Sequence, residues 1–236
     1  MTETNTVVKK DVSAPNKEAL FDAGAHYGYS RSRRHPSFRE FIITSKNGID
    51  IINIEKIEQT LNIAKEFIGS LRADNKKILF VGTKPEAAKI VRKAAEESGA
   101  MFITQRWIGG TLTNFSEIKK RLARLKKLRE QKEQGELVKY TKKEQLLFDR
   151  ETEKLEALFG GIVEMEKSPS ALFIVDPRYE DTAVREAIQL GIPIIALASS
   201  DCDISKIKYP ITANDSTQKS ITFFVDEIAG AYSSRN

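Results

Sequence analysis

The chain has 236 residues, of which 40% are hydrophobic, enough to bury one sizeable core and too many for a disordered basic tail. The formal net charge of +5 is the balance of 38 basic and 33 acidic residues, so a strong positive field has to be local. The single cysteine excludes an intrachain disulfide and a cysteine-rich zinc module, and the polar start without a long apolar run predicts a soluble cytoplasmic protein.

The N-terminal region predicts a tail, a short helix and a basic loop. Residues 1–13 show no helical or strand period and are expected to form a flexible tail. A helix is predicted to begin near Pro15 and to end at Gly24. Residues 25–36 then form a loop punctuated by glycine and proline. The arginines of this loop, which we expect to contact phosphate, are Arg31, Arg33 and Arg34.

A β-ribbon and a long helix come next. Asn47 and Gly48 favour the positive φ angles of a tight hairpin, and apolar runs flank them at residues 41–44 and 49–54. After this ribbon, apolar residues recur every three or four positions from residue 55 to residue 71, as one buried face of a helix requires.

Short apolar runs then alternate with amphipathic stretches, a pattern typical of a parallel sheet covered on both faces. The predicted strands are residues 77–82, 101–104, 171–175, 194–197 and, as a shorter fifth strand, 211–212. The predicted helices are residues 85–98, 178–190 and 216–232. The sequence therefore predicts an α/β fold with a doubly wound parallel sheet in three layers.

Residues 115–159 interrupt this alternation with two long polar helical stretches that Gly135 separates. Apolar residues form only a narrow seam along each stretch, with Ile118, Leu122 and Leu125 in the first arm and Phe148, Leu155 and Ile162 along the second. Such seams are typical of two antiparallel helices that pack on each other and are otherwise solvated. We therefore predict an inserted α-helical coiled-coil hairpin over residues 115–159, in a globular α/β domain formed by residues 14–114 and 160–236.

The first arm of this hairpin is strongly basic. Between residues 117 and 132 it holds eight basic residues and two acidic ones. Cations that neutralise phosphates release condensed counterions, so the arm favours RNA binding with a strong dependence on salt. The alternative is a solvated face whose charges pair with Glu144, Glu151 and Glu153 on the second arm. The predicted RNA contacts of the arm are Lys119, Lys120, Arg121, Arg124, Lys126 and Lys127.

The segment just before the arm, residues 106–114, reads Arg-Trp-Ile-Gly-Gly-Thr-Leu-Thr-Asn. An indole and a guanidinium can each stack on an unpaired base, and the guanidinium also binds phosphate. The alternative interpretation makes Trp107 a core residue and the two glycines a plain turn, and both interpretations can hold at once. We place Arg106, Trp107 and Asn114, the expected helix start, in the predicted RNA-binding set.

Several patterns typical of active sites are present only in part. Gly82-Thr83-Lys84 lies between a predicted strand and a predicted helix, but the spacing Gly-x4-Gly-Lys-Ser/Thr of a phosphate loop is missing. Asp176, at the end of a predicted strand, is interpreted as a helix cap. The candidate metal ligands and nucleophile, which show no recognisable spacing, are His26, His35, Asp201, Cys202 and Asp203. The sequence therefore predicts no catalytic residue and no cofactor. It assigns no metal ligand and leaves open a zinc or magnesium ion gathered from distant parts of the chain.

Six motifs follow one another along the chain, at residues 23–28 (Ala-Gly-Ala-His-Tyr-Gly), 47–52 (Asn-Gly-Ile-Asp-Ile-Ile), 78–84 (Ile-Leu-Phe-Val-Gly-Thr-Lys), 106–114, 169–178 (Pro-Ser-Ala-Leu-Phe-Ile-Val-Asp-Pro-Arg) and 191–196 (Gly-Ile-Pro-Ile-Ile-Ala). Together they resemble the S2 family of small-subunit ribosomal proteins, over residues 14–232 and with high specificity. Tyr29 stands where the family usually has a second histidine, and residues 199–204 depart from its usual Thr-Asn-Cys-Asp-Pro, so no metal role is carried over.

The resemblance implies a flavodoxin-like sheet with the coiled-coil hairpin inserted after residues 106–114. It also implies a structural, non-enzymatic role in the cytoplasmic ribosome, on the solvent side of the small subunit where head meets body. The implied partners are 16S ribosomal RNA, neighbouring small-subunit proteins and, in many bacteria, the large mRNA-binding protein S1. We expect no membrane partner and no homo-oligomer.

Two other interpretations of the sequence stay open. One is an enzyme that holds a nucleotide or a sugar phosphate near Thr83, Lys84 and Asp176 on a Rossmann-like sheet, which the fold class alone does not exclude. The other is an adaptor whose coiled-coil hairpin binds an acidic protein instead of RNA.

Overall fold

The computed structural model of the chain describes residues 17–233, apart from the side chain of Val138. The predicted tail over residues 1–13 and the predicted helix start near Pro15 lie outside the described residues, as do residues 234–236. Among residues 17–233, no helix combines the length and the apolar content needed to cross a bilayer.

The described residues form seven α-helices and eight strands. The helices are α1 (Lys17–Asp22), α2 (Ile54–Ala73), α3 (Pro85–Ser98), α4 (Phe115–Glu133), α5 (Lys142–Phe159), α6 (Asp181–Gln189) and α7 (Gln218–Ser233). The strands are β1 (Tyr27–Ser30), β2 (Ile42–Lys46), β3 (Ile49–Ile52), β4 (Ile78–Val81), β5 (Met101–Ile103), β6 (Ala171–Val175), β7 (Ile194–Ala198) and β8 (Tyr209–Thr212). Short 3₁₀ turns lie at Arg31–Arg33, Pro36–Phe41, Glu136–Lys139 and Gly160–Ile162.

Five strands form a parallel sheet in the order β5-β4-β6-β7-β8. This order is the one found in flavodoxin-like doubly wound sheets, and it confirms the predicted α/β fold with a parallel sheet. Every residue of β4, β6 and β7 is buried, as expected of central parallel strands covered on both faces. In register, Phe80 lies opposite Phe173, and the two ring centroids are 5.1 Å apart. Helices α2 and α3 both contact α7 and form one covering layer with it.

The residues at helix ends explain which predicted bounds are correct. Helix α3 has the predicted bounds because Pro85 fits the first turn, where its missing N–H costs nothing, and Gly99 adopts the left-handed φ of 69° that ends the helix. Helix α6 begins at Asp181, three residues after the predicted start. The reason is a turn at residues 177–180, in which the N–H of Tyr179 donates to Oδ1 of Asp176, a residue with a positive φ of 61°.

A second sheet is antiparallel, with the order β1-β3-β2. Strands β2 and β3 are the predicted ribbon, and Asn47 and Gly48 at its turn have φ angles of 54° and 78°. Strand β1 is a correction, because the sequence interpretation treats residues 25–36 as a loop. Its four residues are too few to show an alternating pattern. This edge strand packs on Ser200: a Cβ at Gly28 would lie 2.9 Å from the serine Oγ, and the N–H of Tyr29 donates to the same oxygen at 2.8 Å.

Helices α4 and α5 occupy the predicted insertion between β5 and β6 and contact each other. The buried residues of α4 are Ile118, Leu122, Leu125 and Leu128, and those of α5 are Leu155 and Phe159. A capping box formed by Thr141 and Glu144 begins α5. We refer to residues 115–159 as the hairpin. The supercoil of a coiled coil stays a prediction.

Gly161 lies where the chain returns from α5 to the sheet, and a Cβ there would lie 2.2 Å from the carbonyl oxygen of Phe102 in β5. We expect Gly161→Ala to lower the free energy of unfolding by about 1–3 kcal/mol, as overpacking does. Gly69→Ala in α2 is the matched control, because nothing lies within 4 Å of its Cβ. Alanine favours a helix over glycine, so the control gains about 0.5–1 kcal/mol. Urea denaturation measures both changes, and an unchanged midpoint for Gly161→Ala would contradict the close contact.

Candidate nucleic-acid interface

The segment between β5 and α4 is held by one carboxylate, that of Glu186 on α6. Its Oε1 accepts hydrogen bonds from Nε1 of Trp107 at 3.0 Å and from the N–H of Gly110 at 2.8 Å. Its Oε2 accepts from the N–H groups of Leu112 at 2.9 Å and Thr113 at 3.1 Å, and from the Thr113 hydroxyl at 3.2 Å. The Glu186 side chain thus fixes the backbone immediately before α4 begins. We call these hydrogen bonds between Glu186 and residues 107–113 the clamp.

Hydrogen bonding keeps this carboxylate charged although it is buried. Glu186 is only 7% exposed, and burial by itself opposes ionisation. The bonds from Trp107 and from the three backbone N–H groups outweigh burial, so the pKa of Glu186 lies below its ordinary value. Asn114 precedes α4 without a side-chain capping bond, so the clamp on residues 110–113 is what orients the start of that helix.

The same clamp separates the two predicted contacts of this segment. Trp107 is 8% exposed and its indole N–H is used by Glu186, which fits the interpretation of Trp107 as a core residue. The buried ring leaves no face on which a base could stack in this structure. Arg106 next to it is exposed and has no carboxylate partner among the described residues. Of the pair, only the Arg106 guanidinium is therefore accessible to a partner.

The basic loop also contains one structural arginine. Nε of Arg34 donates to Oδ2 of Asp50 at 2.7 Å, and its Nη2 bonds Oδ1 of Asp50 and the Ser45 hydroxyl. Asp50 is fully buried, and the Arg34 guanidinium holds the pKa of that carboxyl below its usual range. Arg31 and Arg33 remain exposed, and Arg33 lies over the ring of Tyr29 at 5.8 Å. The loop therefore presents two accessible guanidinium groups and uses the third to fasten itself to the antiparallel sheet.

Five of the eight cations counted on the first arm have carboxylate partners. The pairs are Lys120–Glu117, Arg124–Glu151, Lys126–Glu164, Arg129–Glu156 and Lys132–Asp149. Lys119, Arg121 and Lys127 have no such partner within residues 17–233, although Lys119 lies over the ring of Phe115. The sequence suggests Glu144, Glu151 and Glu153 as partners of the first arm. Among the described residues, only Glu151 of these three forms an ion pair with it. Internal ion pairing thus describes five cations of the first arm, and the other three remain available to a phosphate.

Sequence counting missed a second group of unpaired cations, in residues 139–154. The segment holds almost as many acidic as basic residues, so it looks neutral. Three of the acidic side chains on α5, those of Asp149, Glu151 and Glu156, are directed to cations of α4. The cations left without a carboxylate partner among the described residues are Lys139, Lys142, Lys143, Arg150 and Lys154.

At the carboxyl end of the sheet, where doubly wound folds usually bind nucleotides, charged groups of the protein pair with one another. Nζ of Lys84 lies 3.1 Å from Oδ2 of Asp176 and 3.9 Å from Oδ1 of Asp215. Oε1 of Glu180 accepts the N–H of Thr83 at 2.7 Å, at the beginning of α3. A carboxylate therefore holds the position at the helix N terminus that a phosphate would need, and the lysine charge is already neutralised.

The only cysteine of the chain, Cys202, lies in this cluster of carboxylates. Asp176, Cys202 and Asp215 place their polar atoms within 4.8 Å of one another. Burial and the nearby carboxylates raise the pKa of the Cys202 thiol, so it is protonated and unsuited to nucleophilic attack. Burial also raises the pKa of Asp215, to about 7. Since the Lys84 ammonium already lies between the two aspartates, it supplies the positive charge that a metal ion would bring.

Comparison with known proteins gives the family. A family model described as "Ribosomal protein S2" matches residues 20–234 of the chain. The "Small ribosomal subunit protein uS2" of Roseiflexus castenholzii is 46% identical over 213 residues, which cover 90% of this chain and 81% of that protein. The protein of the same name from Chloroflexus aurantiacus is 42% identical over 212 residues, or 90% of this chain and 89% of the relative. The similarity thus extends over nearly the whole chain.

We expect Glu186→Gln to lower the free energy of unfolding by about 2–4 kcal/mol, because an amide cannot accept all the N–H groups that the carboxylate does. Glu97→Gln, at an exposed carboxylate on α3, is the control and should change little. The pKa of Glu186 is lower in the folded state, so its contribution is present above the ordinary value of 4.5 and is lost as pH falls through the folded pKa. Urea unfolding at pH 7 and pH 4 measures this. A Glu186→Gln deficit as large at pH 4 as at pH 7 would contradict the role of the charge.

Proposed function

This chain belongs to the ribosomal protein S2 family, and we propose that it binds 16S ribosomal RNA at the junction of head and body of the small ribosomal subunit. The family is structural and non-enzymatic, and its members are proteins of the small subunit. The chain is therefore a structural component of the cytoplasmic ribosome that serves translation.

The observation that carries the RNA proposal is a set of exposed cations without carboxylate partners among the described residues. They lie on the loop, on the clamped segment and on α4, and they are Arg31, Arg33, Arg106, Lys119, Arg121 and Lys127. A phosphate backbone neutralises such charges at no cost in broken ion pairs. We propose that these six side chains contact phosphate directly.

The other members of the predicted RNA-binding set take different parts in this proposal. Lys120, Arg124 and Lys126 also face solvent in part, but each has a carboxylate partner that would have to be exchanged for phosphate. We expect each of them to contribute less affinity. Arg34 and Trp107 hold the contact segments in place through Asp50 and Glu186, and Asn114 marks the point where α4 begins.

We further propose that residues 14–114 and 160–236 form one globular domain and that the hairpin is an antiparallel coiled coil. The narrow apolar seam of α4, from Ile118 to Leu128, supports this division, because the rest of that helix is mostly polar. Neighbouring small-subunit proteins are proposed as further partners, with protein S1 among them and with a single copy of the chain in each subunit. The tail expected over residues 1–13 lies outside the described residues.

The two rival functions make different predictions. An enzyme that uses the carboxyl end of the sheet requires free polar groups near Lys84, whereas Lys84 is paired with Asp176 and the N–H of Thr83 donates to Glu180. Calorimetry against a panel of nucleotides and sugar phosphates would reveal saturable binding if this interpretation were correct. A protein adaptor would stay in its native complex after RNA digestion, whereas an RNA-bound protein is released, which sedimentation of nuclease-treated lysate distinguishes.

The test of the proposed function is the variant K119A/R121A/K127A, which removes the three unpaired cations of α4. We expect its affinity for 16S ribosomal RNA at 0.1 M salt to fall at least about tenfold, and the slope of log affinity against log salt to flatten by roughly 2–3. Filter binding over a range of salt concentrations measures both quantities. The matched control K89A/K167A/K219A removes the same charge from α3, the segment before β6 and α7, where the described residues offer these lysines no carboxylate partner. Equal slopes for the two variants would count against α4 as an RNA contact.

A further inference from the structure

We propose that the outer face of α5, on the side of the hairpin away from α4, is a second surface that binds RNA phosphate. This inference rests on the proposed RNA-binding function and adds to it a surface in a segment whose sequence looks neutral. We call this surface, formed by Lys143, Leu147, Arg150 and Lys154, the α5 stripe.

The geometry of the helix places these four residues on one line. Their spacings of four, three and four residues follow the repeat of an α-helix, so the side chains share one face over roughly 16 Å. The side of α5 that carries Leu155 and Phe159 is buried, and Arg124 of α4 lies over the ring of Phe148 on that same side. The α5 stripe points the opposite way, and all four of its residues are exposed.

Ion pairing within the hairpin leaves the α5 stripe positive. Of the five acidic residues of α5, Asp149, Glu151 and Glu156 are ion-paired to α4, and Glu144 belongs to the capping box at the start of the helix. The fifth, Glu153, is exposed and acts electrostatically on Lys132 of α4. The stripe itself contains no acidic residue. Its three cations have no carboxylate partner in the part of the chain that the structure describes. Lys139 and Lys142, at the tip of the hairpin, are likewise unpaired there and extend the positive field.

The shape and spacing of the α5 stripe favour RNA over an acidic protein. The stripe is a ridge on a helix, with cations separated by roughly 6 and 10 Å along its axis. The minor groove of an A-form helix is wide and shallow and is bordered by phosphates, so it accepts a ridge of this kind. Leu147 is 55% exposed in the middle of the stripe and Leu146 beside it is 50% exposed. Their apolar side chains fit against ribose between two phosphate contacts.

The experiment uses the full chain carrying K143A/R150A/K154A and in vitro transcribed 16S ribosomal RNA, with K89A/K167A/K219A as the control of equal charge. Alanine is a good helix former at exposed positions, so α5 is expected to stay folded, which circular dichroism checks. We expect the slope of log affinity against log salt to flatten by roughly 2–3 and the affinity at 0.1 M salt to fall at least about tenfold. The variant K143R/K154R keeps the charges and should bind like the unmodified chain.

The possible results separate this inference from the function on which it rests. If the unmodified chain does not bind 16S ribosomal RNA, the proposed function fails. If K119A/R121A/K127A weakens binding while K143A/R150A/K154A behaves like the control, the function stands and the α5 stripe is overturned as an RNA surface. If K143A/R150A/K154A binds RNA normally but is lost from small subunits, the stripe contacts a protein, and the RNA inference is likewise overturned.

Discussion

The buried carboxylate of Glu186 fixes the segment that leads from β5 into the hairpin, and the position at which α4 begins depends on this contact. The turn before α4 leaves backbone N–H groups without partners in the chain around them, and a buried unpaired N–H is costly. Glu186 accepts three of them together with the Trp107 indole. The segment can therefore carry an exposed arginine and a buried tryptophan side by side and still keep one conformation.

The other buried charges explain why this sheet is a scaffold. In doubly wound folds the carboxyl ends of the strands usually offer free N–H groups and free charges to a ligand. Here Glu180 accepts the N–H of Thr83, and Lys84 lies between Asp176 and Asp215. The Thr83 N–H and the Lys84 ammonium, which would recognise a phosphate at this edge, thus already have internal partners. The surface that we propose for RNA lies instead on the outer loops and helices.

A structural feature is predictable from the sequence when the residues that determine it are close together in the chain. Strand β6 and helix α3 are predictable because a continuous apolar run, or a proline and a glycine at the two ends, determines them locally. The clamp joins residues 73 to 79 positions apart, and its only local signal is a glutamate on the apolar side of α6, between Ala183 and Ala187. Which cations of α4 stay free is decided by the facing helix: Arg124 has a partner there and Lys127 has none among the described residues.

The hairpin is fixed at both of its roots, by the clamp where α4 begins and by the close approach of Gly161 to Phe102 where α5 returns. The 19 residues of α4 make it about 28 Å long. A rigid rotation of about 5° at the roots moves the tip by roughly 2.4 Å at this length. The hairpin thus amplifies small movements at its base. Sub-ångström shifts of the sheet edge become displacements at the tip that are large enough to make or break a hydrogen bond. The positions of the edge strand β5 and of the hairpin tip are therefore mechanically coupled.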